Sequence, residues 1–196
     1  MAVVLTRRRF TADEYRRMVD AGILTADDRV ELIDGEIVEM SPMGPPHTMC
    51  QILLTCRLLA QIGDRALALV QGPLPVGPRH EFQPDILQLR PKPGGYWRRI
   101  PYPEDVLLAI EVSDTTLARD RAKLARYAEA GVPEVWIVNL EDAVVELYRN
   151  PAADGYRNVL RVGRGGQVSP AAFRDVVLPV DDLVGEPQDR DVPSCS

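Results

Sequence analysis

Two apolar runs, Val106 to Val112 and Val135 to Leu140, constrain this chain more than any other feature. Each is too short for a helix and nearly free of polar residues, as expected of strands buried on both faces. Between them, Ser113-Asp114-Thr115-Thr116 supplies capping side chains, and helical spacing extends from about Leu117 to Ala130. Gly131 just past that end and Pro133 soon after form the usual stop pattern. A strand, a helix and a second strand make a βαβ unit, whose strands run parallel through a right-handed crossover. The chain is thereby committed to an α/β or mixed α+β architecture with a helix on the sheet face.

The other elements fit around that unit. Thr11-Ala12-Asp13-Glu14 matches a capping box, which predicts a short helix to about Asp20, ended before Gly22. Arg29 to Asp34 and Glu36 to Met40 alternate about Asp34-Gly35, a strong hairpin signal. Ser41 to Pro46 reads as loop. A helix is expected from just after His47 to Gly63, with Met49, Ile52, Leu53, Cys56 and Leu59 or Ala60 on its apolar face. Ala66 to Gln71, Leu74 to Val76 and Glu81 to Leu89 read as strands, and Pro91 to Glu104 as a loop. Val144 to Tyr148, Tyr156 to Val162 and Asp175 to Val180 are expected as a meander at the sheet edge. With 196 residues, 45% of them hydrophobic, the chain suits one domain over residues 1–184, followed by a polar tail over 185–196.

Charge and cysteine usage narrow the function classes. No run reaches the roughly 18 to 20 apolar residues of a membrane span, and Met1 to Leu5 is too short for a signal-peptide core before Arg7, Arg8 and Arg9. Cys50, Cys56 and Cys195 are an odd number without metal-site spacing. A cytoplasmic, reducing setting is therefore expected. The formal charge of −6 disfavours non-specific adhesion to nucleic acid, although a local basic surface remains compatible with it. Of 23 basic residues only Lys92 and Lys123 are lysine, so a lysine within a helix suggests a need for a compact ammonium group.

Three residues carry the chemistry. Asp85 opens one strand, Glu111 ends another, and antiparallel pairing of the two would join those ends. Lys123 lies two turns into the following helix, with Asp120 and Tyr127 on its face at i−3 and i+4. Two carboxylates suit a hard divalent cation such as Mg2+, and the lysine can orient or polarise a water. Each residue alone has an ordinary structural explanation, as a cap, an ion-pair partner or a solvated helix residue. Glu31 is either a further acid of the site or an outward hairpin residue. His47, at a helix N-terminus, either contacts a phosphate or caps the helix. His80 reads as structural. Tyr96, Trp97, Arg98, Arg99 and Tyr102 form a loop suited equally to nucleic acid or to a protein interface. A glycosidase pair leaves the lysine unexplained and sits poorly with 6% aromatic content.

Val30-Glu31-Leu32-Ile33-Asp34-Gly35-Glu36, the loop before His47, Pro84-Asp85, Ala109-Ile110-Glu111-Val112-Ser113, and Asp120 to Trp136 with Lys123, Tyr127, Gly131, Val132, Pro133 and Glu134 together resemble the Uma-type endonucleases of the PD-(D/E)XK superfamily. The resemblance spans roughly residues 10–184. It implies a restriction-endonuclease-like core, a mixed sheet flanked by helices, with Mg2+ or alternatively Mn2+ as cofactor and DNA as substrate. It implies Asp85, Glu111 and the carbonyl of Val112 as metal ligands and Lys123 as the catalytic lysine. By analogy with relatives that cut two strands it also implies a homodimer. Ser113 stands where the superfamily's simplest pattern has lysine, so here the lysine comes from the following helix. The competing expectation is a non-catalytic descendant of the fold that binds nucleic acid or protein.

Overall fold

The computed structural model describes residues 7–25 and 27–185. The chain start, Cys195 and the expected tail beyond Gly185 lie outside the described residues. Helix α1 (Ala12–Asp20) opens on the expected capping box: Thr11 Oγ1 accepts from the Glu14 N–H and the Glu14 carboxylate accepts from the Thr11 N–H. Strands β1 (Val30–Ile33) and β2 (Glu36–Glu39) form the expected hairpin, with Asp34 at φ 49° and Gly35 at φ 75°. Positive φ at both central residues is the twist-compatible geometry of a two-residue turn.

Helix α2 (Pro45–Ile62) follows, then strands β3 (Leu67–Val70), β4 (Leu74–Gly77), β5 (His80–Phe82), β6 (Ile86–Leu89) and β7 (Val106–Ser113). Helix α3 (Leu117–Glu129) leads to β8 (Glu134–Asn139), β9 (Val144–Ala152) and β10 (Gly155–Gly163). The short strands β11 (Gln167–Val168) and β12 (Leu178–Pro179) and helix α4 (Asp181–Val184) complete the described chain. The main sheet has the order β10-β9-β8-β7-β6-β3. Only β7 and β8 pair in parallel, as the βαβ pattern requires, and the other neighbours are antiparallel.

Alternation along the central strands sorts the core into two layers. Leu108, Ile110 and Val112 of β7 pack with Leu54, Leu58 and Ile62 of α2 and with Trp136 and Val138 of β8. Ala109 and its neighbour Leu87 face the other way, toward Tyr127 of α3 and Leu74, Val76 and Phe82. Those last three belong to a second, antiparallel sheet of order β2-β1-β5-β4, which also contains the hairpin.

Three local expectations are corrected. Glu81 to Leu89 is not one strand but two, β5 and β6, which belong to different sheets. Pro84 sits in the break because it has no N–H to donate to a ladder. Asp175 to Val180 contributes only Leu178–Pro179, paired with β11 away from the meander. Helix α2 begins at Pro45, where proline's fixed φ suits the first turn. Its buried face is Cys50, Gln51, Leu54, Leu58 and Ile62, whereas Met49, Ile52 and Leu59 are about half exposed. Both faces of this helix are apolar, so periodicity alone selected the wrong one.

The hairpin turn is pinned from two sides. The Phe10 N–H donates to the Gly35 carbonyl at 2.8 Å, and the Gly35 N–H donates to the Arg79 carbonyl at 2.9 Å. A Cβ at Gly35 would lie 2.8 Å from the Phe10 oxygen and 2.9 Å from the Arg9 Cβ, at a φ that L-residues rarely adopt. Gly35→Ala is expected to lower stability by about 1–3 kcal/mol, measured by urea denaturation, because strain and a backbone clash combine there.

Candidate active site

Register explains how the two key acids meet. Ile86 of β6 opposes Ile110 of β7, so one step further along the same antiparallel register sets Asp85 against Glu111. Their neighbours Leu87 and Ala109 face α3, and alternation points both carboxylates to that side. Like charges directly opposed across strands are destabilising. Further contacts hold them there. Asp85 Oδ2 accepts from the Val112 N–H at 2.8 Å and lies 3.2 Å from His47 Nε2. The Asp85 carbonyl accepts from the Gln71 N–H at 3.1 Å and from Gln51 Nε2 at 3.2 Å. Glu111 Oε1 accepts from the Tyr127 hydroxyl at 2.6 Å.

Helix α3 packs back along its own strand and returns Lys123 to these acids. Lys123 Nζ lies 3.0 Å from Glu31 Oε2, 3.4 Å from Glu111 Oε1 and 3.7 Å from Asp120 Oδ1. The lysine side chain is 5% exposed, so it is no solvated helix residue. Glu31, for which an outward position was equally compatible, is 1% exposed and points inward. Asp120 is fixed in turn by Ser113 Oγ at 2.5 Å and Thr116 Oγ1 at 2.6 Å. Ser113, two residues after Glu111, thus orients an acid that faces Lys123.

These groups form the floor of a cleft of about 200 Å³, bounded by the Met40 to Gly44 loop, His47, Thr115 and Thr116, with Arg29 and Arg119 at its walls. His47 is the third residue of α2, and its Nδ1 is buried without a hydrogen-bond partner among the described residues. Arg29 and Arg119 did not stand out in a chain with so many arginines. Neither forms an ion pair among the described residues; Arg119 donates to the Glu39 carbonyl at 3.1 Å. His80 lies apart from this cleft, against Asp34 of the hairpin turn, in keeping with its structural reading. The loop with Trp97, Arg98 and Arg99 joins the far ends of β6 and β7, opposite to Asp85 and Glu111. It is not part of the cleft.

The electrostatics follow from three buried acids around one lysine, with Asp85 opposite one of them. Burial pushes the Glu111 carboxyl up to about 8; Lys123 opposes that shift, and Asp120, Asp85 and Glu31 add to it. For Lys123, burial disfavours the ammonium, but Glu111, Glu31 and Asp120 outweigh it and raise the pKa. Burial likewise opposes a charged His47, yet its contact with Asp85 and the nearby Asp114 and Asp120 raise its pKa. The cluster thus carries more negative charge than its cations neutralise, a condition suited to an added divalent cation. Among the described residues no three His, Cys, Asp or Glu side chains form a ready metal cage. Two opposed carboxylates with a backbone carbonyl and water are sufficient for Mg2+, which keeps much of its hydration.

A pH dependence follows for the protein free of divalent metal. Between the ordinary glutamate value of 4.5 and about 8, folded Glu111 retains a proton that the unfolded chain releases. Stability should therefore fall as pH rises through that window. His47, also raised, contributes in the same direction. Urea denaturation in EDTA across pH 5–8.5 should show this decline, flattened in Glu111→Gln.

No curated protein matches this chain. A crystal structure described as "a putative nuclease belonging to DUF820", from Anabaena variabilis, superposes with a TM-score of 0.72 at 17% identity, covering 89% of this chain and 97% of that one. At that identity the likeness shows a shared fold. The type IIG restriction endonuclease BpuSI aligns at a TM-score of 0.38 and 17% identity over 56% of this chain and 12% of its own, too slight a match to bear on the argument. The model of the Uma2 family, described as "Putative restriction endonuclease", matches residues 12–181. With nearly the whole described fold inside that match, the chain belongs to the Uma2 family.

Proposed function

We propose that this protein is a metal-dependent endonuclease that hydrolyses phosphodiester bonds in DNA. The observation that carries the reading is a buried Lys123 ammonium beside Glu111, itself opposed by Asp85, at the floor of an open cleft. The family's description as "Putative restriction endonuclease" and the description of the Anabaena structure as "a putative nuclease" support it. In the overall reaction water attacks phosphorus, one P–O ester bond breaks, and a phosphate monoester and an alcohol result.

Asp85, Glu111 and the carbonyl of Val112 would hold Mg2+ or Mn2+, which when bound supplies Lewis-acid charge to the phosphate and lowers the pKa of a ligated water. Lys123 stays protonated at neutral pH, so its part is to orient the attacking water and offset charge growing on the phosphate, not to accept a proton. Glu31 and Asp120 hold the ammonium in place. Tyr127 fixes the Glu111 carboxyl through its 2.6 Å hydrogen bond. His47 orients Asp85 and presents its ring at the cleft. Arg29 and Arg119, unneutralised at the walls, are placed to grip the flanking phosphates. Action on both strands of a duplex calls for a homodimer, and the free Cys50 and Cys56 suit a reducing cytoplasm.

Incubation with duplex, branched and single-stranded DNA, with and without Mg2+, tests the activity. Asp85→Ala and Glu111→Ala should abolish both cutting and Mn2+ binding measured by calorimetry. Lys123→Ala should slow cutting by about 100-fold or more. Cutting that survives loss of either acid would refute the mechanism, and absent metal binding would instead favour a non-catalytic module. For uncut DNA held in Ca2+, Arg29→Ala and Arg119→Ala should each weaken binding and reduce the slope of log K against log salt by about 1.

A further inference from the structure

A second cavity, of about 220 Å³, adjoins the active-site cleft along the seam between the hairpin sheet and α3. Lys123 and Arg119 line both spaces. Strand β1 also passes from one to the other: Glu31 lines the cleft, and Ile33, two residues on along the same strand face, lines the cavity. That step is about 7 Å, a distance that a deoxyribose spans. The short side chains of Ala122 and Ala125 on α3 leave the space open. His80 forms part of its wall. The Asp34 N–H donates to His80 Nδ1 at 3.2 Å, so Nε2 of the neutral ring carries the proton, directed at Asp34 Oδ1 3.3 Å away. Burial holds the His80 pKa below the ordinary histidine value, which leaves the ring uncharged at neutral pH.

We infer that this cavity is a subsite for a nucleobase, the one carried by the nucleotide whose phosphate lies in the cleft. The inference rests on the nuclease reading of that cleft and adds to it the part of the substrate that is held beside the reacting phosphate. The charge pattern selects a base over a second phosphate. Arg126 is paired with Asp34 and Glu129, so it has little left to offer an anion. Ile33 and the two alanines give apolar walls to the faces of a flat ring. Arg119 spends one N–H on the Glu39 carbonyl and forms no ion pair among the described residues, so its other N–H groups can meet an acceptor on the ring's edge. The volume lies below the roughly 300 Å³ at which pockets for drug-sized ligands begin, and suits one ring system. A base reaches the cavity only when unstacked from its neighbours, which costs least in a single strand or at an unpaired position of a duplex. Those are the substrates this site favours.

The chain has two histidines, His47 at the cleft and His80 at the cavity, so imidazole nitrogen NMR spectra of the full chain report on the two spaces separately. In Ca2+, deoxyadenosine 5′-monophosphate should shift the resonances of both. Deoxyribose 5-phosphate, which lacks the base, should shift His47 alone and bind about 10-fold more weakly. That comparison needs no variant. Ala125 is exposed on α3, where leucine is a good helix former, and Ala125→Leu fills the cavity. It should lower the affinity for the nucleotide by about 10-fold and silence the His80 response, with the sugar phosphate bound as before. Circular dichroism would verify that this variant is folded. A nucleotide that shifts His47 but not His80, or a His80 response that survives Ala125→Leu, would overturn the inference and leave the cleft reading standing. Silence at both histidines with tens of millimolar nucleotide would overturn it together with the cleft's reading as a phosphate site.

Discussion

The buried ammonium of Lys123 ties together parts of the chain that share no local reason to meet. Glu31 reaches it from the hairpin sheet, Glu111 from the central strand of the main sheet, and Asp120 from one turn back along the same helix. A lone buried cation is costly, and so is a cluster of buried carboxylates; each is tolerable here only in the company of the other. The contact therefore fixes how the two sheets and α3 sit against one another as much as it prepares a site for chemistry. Its three acids outnumber its single charge. Burial, with the neighbouring acids adding to it, leaves Glu111 reluctant to ionise.

Pro84 and Asp85 have a corresponding role in the backbone. Without a break there, β5 and β6 would continue as one strand in one sheet. Proline stands in the break, and the next residue, just before β6, has its carboxylate held by the Val112 N–H. The same peptide segment thus moves the chain between sheets and delivers an acid to the edge where β7 ends. Ser113 extends this economy of placement. Two residues after Glu111, it orients Asp120, which faces Lys123.

Helix α2 lies at the junction of site and surface. Its N-terminus brings His47 to Asp85, and its inner face carries Leu54 and Leu58 into the core. Its outer face is apolar too, with Met49, Ile52 and Leu59 about half exposed among the described residues.

The sequence by itself determined the local elements whose signals are short-ranged and unopposed. The Asp34-Gly35 turn, the Thr11 to Glu14 capping box and the β7-α3-β8 unit depend on neighbouring residues or on simple burial, and all are present as the sequence predicts. The meeting of Asp85 and Glu111 was legible because antiparallel pairing of their strands joins those ends, and the register of β6 and β7 brings the two acids together. Only the tertiary structure decided the rest. The inward turn of Glu31 depends on a sheet whose strands lie far apart in sequence, and the division of Glu81 to Leu89 depends on which partner each half finds. Arg29 and Arg119 stand out from many other arginines only by where the fold leaves them. The buried side of α2 could not be read from periodicity, because both faces carry the same pattern and only packing against the sheet distinguishes them.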